Sequence, residues 1–159
     1  MFCEFCGTKL EKKELLNEGM IPYCPNCKEY RFPKFSVGML AIILSPDQSE
    51  VLLIKQYDTS FYRLVAGYTN KGESLEETLI REVKEEVSLD LVSYKPLTSS
   101  YWEKSNTLLE CFVAVAKNKE VVPNYEVQEY KWFKLADAYN ALDGAKLAYK
   151  FFDYFMKNN

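Results

Sequence analysis

Two groups of residues in this chain of 159 have the types and spacing that do chemistry. The first is Cys3-Glu-Phe-Cys6 and Cys24-Pro-Asn-Cys27, two C-x-x-C pairs with 17 residues between them. Each such turn presents two thiolates about one tetrahedral edge apart, so together they fit a four-cysteine zinc ribbon holding one Zn2+ per chain. Gly7, just after the first pair, can take the positive φ that lets backbone N–H groups point at sulfur. Four thiolates leave no open coordination position, which makes that metal structural. Two disulfides, or two redox C-x-x-C motifs in a polar segment that reads as strandless, are the alternatives; nothing in the sequence suggests export to an oxidising compartment. The second group is Glu82, Glu85 and Glu86, which on a helix stand at i, i+3 and i+4 and share one stripe. Carboxylates that close repel one another unless a positive charge sits between them. A hard divalent cation, Mg2+ or Mn2+, suits an all-oxygen donor set; a solvated acidic helix face is the alternative.

The absence of histidine removes Ser-His-Asp and Cys-His nucleophiles, His-ligated zinc and imidazole acid–base catalysis. With 48% hydrophobic and 15% aromatic residues the chain can build a core and is not a disordered tail. Twenty Lys plus Arg against 23 Asp plus Glu give a net charge of −3, which argues against nucleic acid as the main partner. The longest apolar run, Val37–Leu44, is far too short to span a bilayer, and the polar first 30 residues lack a signal-peptide pattern. No membrane partner is expected, and the expected compartment is cytoplasmic.

The elements that must position these groups follow from periodicity. Residues 1–32 read as the zinc ribbon, with few apolar side chains and therefore dependent on the metal; residues 33–159 read as the larger domain. Phe35–Leu44 and Val51–Lys55 read as a hairpin of buried strands around the turn Ser45–Ser49. Phe61–Ala66 is an apolar stretch closed by Gly67. Ser74–Val87 reads as a helix opened by a Ser74/Glu77 capping box, with Leu79, Ile80, Val83 and Val87 as its apolar stripe. Leu89–Tyr101, Leu108–Lys117 and Glu129–Leu135 read as strands, and Gly144–Lys157 as a last helix. Cys111, inside an apolar run, reads as a buried small hydrophobe. Strands before and after a central helix predict an α/β (α+β mixed) fold, a mixed sheet covered on both faces.

Gly67, Glu73 and the run Arg81-Glu-Val-Lys-Glu-Glu-Val-Ser-Leu89 resemble the Nudix box, G-x5-E-x7-R-E-U-x-E-E-x-G-U with U aliphatic, at every defined position except Ser88, where the box has glycine. A glycine there takes the left-handed conformation, so serine costs on the order of 1 kcal/mol. A four-cysteine ribbon followed by such a domain is similar to the NADH pyrophosphatase branch of that superfamily. Cys27–Pro33, Thr98–Trp102 and Glu126–Phe133 also resemble that branch.

The resemblance implies a Nudix α/β/α sandwich and a site in which Ala66 (through its carbonyl), Glu82, Glu86 and Glu126 ligate Mg2+ or Mn2+. Glu85 is implied as a further ligand or a contributor to the field, with Glu129 the runner-up to Glu126. Arg81 would hold Glu73 or Glu85 in a charge-assisted pair. Phe32 and Ala148 match substrate-contacting positions. The branch's S-Q-P-W-P-F-P-x-S run is eroded here to Ser99-Ser-Tyr-Trp102-Glu-Lys-Ser-Asn-Thr107, which puts NADH or NAD-capped RNA as preferred substrate in doubt. Tyr101 and Trp102 can still stack on a nucleobase, and Trp102 can equally be an ordinary sheet residue. The implied function is Mg/Mn-dependent hydrolysis of the diphosphate linkage in a nucleoside-diphosphate derivative such as NADH, ADP-ribose or FAD. The alternative is a non-catalytic nucleotide sensor whose zinc ribbon contacts protein or nucleic acid. Relatives of this kind are commonly homodimers.

Overall fold

The computed structural model describes residues 1–158 and divides them into two compact units, Met1–Phe35 and one beginning at Ser36. In the first, β1 (Glu11–Leu15), β2 (Gly19–Cys24) and β3 (Glu29–Tyr30) form an antiparallel sheet in that order. The segment is thus not strandless. Its strands escape a periodicity reading because most of their residues are exposed, Glu11 to Glu14 without exception, and register is set by pairing and not by a buried face. The two cysteine turns are built alike. Gly7 N–H donates to the Cys3 carbonyl and Lys28 N–H to the Cys24 carbonyl, both at 2.8 Å, and Gly7 and Lys28 take φ of 70° and 59°. The buried apolar side chains of this unit are Cys3 and Cys24, so a sulfur cluster stands where a hydrophobic core would be.

In the second unit a mixed sheet has the strand order β7-β8-β4-β5-β9, with β6 also paired to β4. The strands are β4 (Ser36–Leu44), β5 (Glu50–Gln56), β6 (Val65–Tyr68), β7 (Leu91–Trp102), β8 (Thr107–Ala116) and β9 (Val127–Lys134). β4 runs parallel to β8 over its whole length, Ser36 opposite Thr107 to Leu44 opposite Val115, and the other pairings are antiparallel. β4 is apolar at nearly every position because both its faces are covered. Met39, Ala41 and Ile43 point to the core beneath α1 (Leu75–Val87), with Leu79, Val83, Val87 and Phe112. Leu40, Ile42 and Leu44 point to the opposite core, closed by α2 (Leu135–Ala141) and α3 (Lys146–Asn158). There Phe151, Phe152 and Phe155 pack with Cys111, which is fully buried. Desolvation pushes its thiol far above the usual range.

Several expectations need correction. Ile80 is 48% exposed: the stripe of α1 is Leu79, Val83 and Val87, spaced by four, and Ile80 is rotated about 100° from it. β6 runs through Gly67 instead of stopping before it, and α2 takes up the chain directly after Lys134. That helix is only 7 residues long and has no capping side chain to announce it. Ser88 does adopt the left-handed conformation, φ 57°, with its N–H on the Lys84 carbonyl.

Candidate functional site

α1 is fixed at its start by the capping box. Ser74 Oγ accepts the Glu77 N–H at 3.1 Å, and the Glu77 carboxylate accepts the Ser74 N–H at 2.7 Å. This sets the rotation of the helix, so that the edge adjoining the buried stripe carries Glu82, Glu85 and Glu86 into a cleft of about 970 Å³. Ala66 and Gly67 of β6 line the same cleft, as does Glu126 from the loop before β9. That loop is tied to the end of α1: Val122 N–H donates to the Val87 carbonyl and Asn124 N–H to the Glu86 carbonyl. Asn124 Oδ1 in turn accepts the N–H groups of Glu126 (2.9 Å) and Val127 (3.3 Å), a turn that presents Glu126.

Gly67 permits a close approach between β6 and Glu82. A Cβ added there would lie 2.0 Å from Glu82 Cδ and 2.1 Å from its Oε1, so the Glu82 carboxylate occupies the space a side chain would need.

Arg81 organises the carboxylates without being spent on one of them. Its Nε and Nη2 grip Glu73 at 2.7 and 3.0 Å, Nη1 reaches Glu82 (2.7 Å) and Glu85 (3.2 Å), and Nη2 also donates to the Tyr68 carbonyl. The guanidinium holds the Glu73 carboxyl down to about 2. Glu82 goes the other way: burial raises it, and the Arg81 hydrogen bond only partly opposes that.

Glu86 is the exceptional group. It is 4% exposed. Its Oε1 accepts from Gln56 Nε2 at 3.0 Å, whereas Oε2 is buried with no hydrogen-bond partner. Desolvation pushes its carboxyl up to about 7; Gln56 opposes the rise, and the charges of Glu82 and Glu126 add to it. A buried carboxylate oxygen without a donor is costly. It shares the cleft with Glu82 and Glu126, an all-oxygen set of the type a hard divalent cation takes, although among the described residues it is the four cysteine sulfurs, and not these oxygens, that converge within 4.8 Å. The residues present therefore fit such an ion.

The other expected site residues are placed as follows. Trp102 lines the cleft. Tyr101, next along β7, projects to the other face and donates to Asn106. Glu129 is engaged by Lys55 (2.8 Å) and Tyr62 and does not line the cleft. Ala148 is buried in α3 and lines a smaller adjoining hollow. Phe32 is exposed in the first unit. There the four sulfurs Cys3, Cys6, Cys24 and Cys27 lie within 4.8 Å of one another, with contacts of 3.4, 3.5 and 3.9 Å. Zn–S bonds of about 2.3 Å imply sulfur–sulfur edges of about 3.8 Å. All are free thiols. Thr8 draws Cys6 down to about 5, while the surrounding sulfurs, Cys6 first, push Cys27 up to about 12; a divalent cation removes that conflict.

Gln56, Asn124, Tyr57 and Tyr125 belong to the site but not to the sequence expectation. Gln56 had a faint signal, a polar residue ending an apolar strand. Tyr57 and Asp58 take φ of 57° and 53° and are held by Gln128, whose side-chain oxygen accepts the Asp58 N–H while its amide donates to the Asp58 carboxylate. That contact becomes visible only once β9 is beside β5.

Residues 34–155 match the NUDIX domain. Among curated proteins the chain is 30% identical over 137 residues to the NAD-capped RNA hydrolase NudC of Pseudomonas aeruginosa (strain LESB58), covering 84% of this chain and 48% of that protein. It is 31% identical over 140 residues to the protein of the same name from Pseudomonas entomophila (strain L48), covering 86% and 49%. The chain spans about half the length of these relatives. Among solved structures it is similar to a NUDIX hydrolase from Nitrosomonas europaea (TM-score 0.63, 20% identity, 88% of this chain and 81% of that one). It is also similar to the NUDIX domain of Shewanella oneidensis NrtR complexed with ADP ribose (TM-score 0.60, 22% identity, 79% and 89%). No helix of the described residues is long and apolar enough to cross a membrane.

Proposed function

The chain belongs to the Nudix family, and from that premise we propose that it is a metal-dependent hydrolase cleaving the diphosphate linkage of a nucleoside-diphosphate derivative. The observation that carries this reading is the buried, partnerless Oε2 of Glu86 in a cleft shared with Glu82 and Glu126. A pure binding domain has no use for so costly a carboxylate.

Glu82, Glu86, Glu126 and the carbonyl of Ala66 would hold Mg2+ or Mn2+, with Glu85 at the rim. Such an ion, when bound, neutralises diphosphate charge and lowers the pKa of a ligated water. The chain's own groups do the rest. Gln56 fixes Oε1 of Glu86 and so leaves Oε2 as the oxygen that takes the proton of the attacking water. Arg81 keeps Glu82 and Glu85 aligned through one guanidinium. Trp102 at the cleft offers a face on which a base can stack. Water adds to one phosphorus, the P–O–P bridge breaks, and two phosphorylated products leave.

The test is a product-resolved screen of NADH, ADP-ribose, FAD, diadenosine polyphosphates and nucleoside triphosphates with Mg2+ and Mn2+. Two phosphorylated products from at least one diphosphate-linked substrate, and none without metal, are expected. No turnover of any of them overturns the reading. Because the relatives are named for capped RNA, an overall charge of −3 does not exclude a substrate with a nucleic-acid extension.

The cysteine cluster is read as a structural zinc site. Chelation under reducing conditions is expected to release about one zinc per chain and to unfold the first unit, followed by a metal-indicator dye together with amide exchange over residues 1–35. Protein carefully purified without zinc and still protected there would remove this assignment.

A further inference from the structure

The first unit is built around sulfur, and its four sulfurs are not equivalent. Cys3 and Cys24 are buried, Cys27 is half-buried and Cys6 is exposed. Each C-x-x-C turn therefore holds its first cysteine inside and its second outside. The inner two stand where a hydrophobic core would be, and the outer two form the face that solvent reaches. Contacts run between the two turns: Cys6 with Cys27 at 3.4 Å, Cys6 with Cys24 at 3.5 Å, and Cys3 with Cys27 at 3.9 Å. The last two each include a buried sulfur. Cys6 with Cys27 is the contact whose partners both reach solvent. The fifth cysteine, Cys111, is fully buried in the other unit with Phe151 and Phe152 and is withheld from reagents in water.

Coordination would supply the reactivity. A thiol bound to a divalent cation is deprotonated, and the thiolate is the form that attacks an oxidant. Cysteines that respond to oxidants are accessible thiolates with a second thiol near enough to resolve them. The outer pair meets both conditions, and the inner pair fails the first. A bond between the outer two would also cost the cluster half of its donors, because each turn would lose one.

We propose that Cys6 and Cys27 are a peroxide-reactive pair, and that joining them as a disulfide releases the metal from the first unit. This rests on the reading of the cluster as a zinc site and is independent of the reading of the acidic cleft. The Cys6 thiolate attacks one oxygen of hydrogen peroxide; the O–O bond breaks, hydroxide leaves, and Cys6 becomes a sulfenic acid. The Cys27 thiolate then attacks the Cys6 sulfur; the S–O bond breaks and a second hydroxide leaves. Two thiolates have lost two electrons, and one peroxide has taken them. Cys3 and Cys24 remain as two donors, too few for a closed structural site. A dithiol reductant together with zinc reverses the change.

The test adds hydrogen peroxide to the zinc-loaded full chain beside a metal-indicator dye, then quenches in acid and maps the unreduced peptides by tandem mass spectrometry. Loss of about one zinc per chain is expected, with loss of two of the five thiols. The missing two should be linked as Cys6–Cys27, and Cys111 should still be alkylated after denaturation. Zinc retained under excess peroxide overturns the proposal, and so does release with the link made at Cys3 or Cys24. Cys27→His keeps four donors of a kind that holds structural zinc and removes the resolving thiol. Peroxide is then expected to leave a sulfenic acid at Cys6 that dimedone traps. A disulfide at Cys6 in that variant places the resolving thiol elsewhere and overturns the proposal; if the variant does not load zinc, the map of the parent chain decides alone. A parent chain that holds no zinc when carefully purified, yet forms the Cys6–Cys27 link, removes the zinc reading and leaves the reactive pair standing. Zinc present and unreleased does the reverse.

Discussion

Glu86→Gln is expected to lower Mg2+-dependent hydrolysis by about three orders of magnitude while the protein stays folded. The side chain keeps its shape and its Oε1 contact to Gln56, but the buried oxygen without a partner becomes an amide nitrogen, which neither accepts a proton nor binds a cation. Stability should move the opposite way. Burial already raises the Glu86 carboxyl to about 7, so folding the charged form without a cation is unfavourable. Replacing it with a neutral amide should leave the melting temperature of the Mg-free protein unchanged or higher. Steady-state turnover and a thermal melt on one preparation measure both. Turnover within tenfold of the parent would refute the role given to Glu86, whereas loss of turnover with a collapsed melt would reduce that role to a structural one.

The second large effect comes from a residue with no functional group. In Gly67→Ala the new Cβ would stand 2.0 Å from Glu82 Cδ and 2.3 Å from Cγ, distances no rotation of a methyl group relieves. Either Glu82 leaves its bond to Arg81 or β6 moves away from α1. β6 is short of room on the other side as well, because a Cβ on Gly38 of β4 would meet the Gly67 carbonyl oxygen at 2.7 Å. If Glu82 has the role proposed for it, displacing its carboxylate by about 1 Å costs on the order of 100-fold in rate, and the overpacking costs about 1–3 kcal/mol. Single-turnover rates and Mn2+ affinity measured by electron paramagnetic resonance check this. Near-parental values for both would show that Glu82 does not need the position it occupies.

The parts of this protein readable from its sequence are those where a local rule and a buried face agree. The start of α1 was legible because Ser74 and Glu77 satisfy each other's backbone and because Leu79, Val83 and Val87 repeat at the helical period. The glutamates stood out as three acids on one helix edge, with a solvated face as the alternative, and it was the resemblance of Gly67, Glu73 and Arg81–Leu89 to the Nudix box that made them candidate ligands. β4 was legible from its apolar length, but not its partners: nothing in Val37–Leu44 says that β8 lies beside it in parallel. The strands of the first unit were illegible because they bury almost nothing. Gln56 and Asn124 could not be assigned because each acts through a bond to a residue far along the chain, Gln56 on the side chain of Glu86 and Asn124 on its carbonyl. The net charge says little about any one ligand. A sum of −3 hides a cleft that gathers four glutamates, and a ligand meets the local field, not the sum.

The central position of β4 also bears on how the chain folds. Its β5 neighbour follows within a hairpin, but its parallel pairing joins Ser36 to Thr107, so the ladder through the middle of the sheet closes only across a long intervening segment of the chain. Closing so distant a contact is entropically costly and slows folding. Glu126 lies beyond β8 and Glu82 before it, so the acidic cleft is completed only after that closure. During synthesis the acidic cleft is therefore completed late, and a partly made chain presents isolated carboxylates instead of a shared pocket.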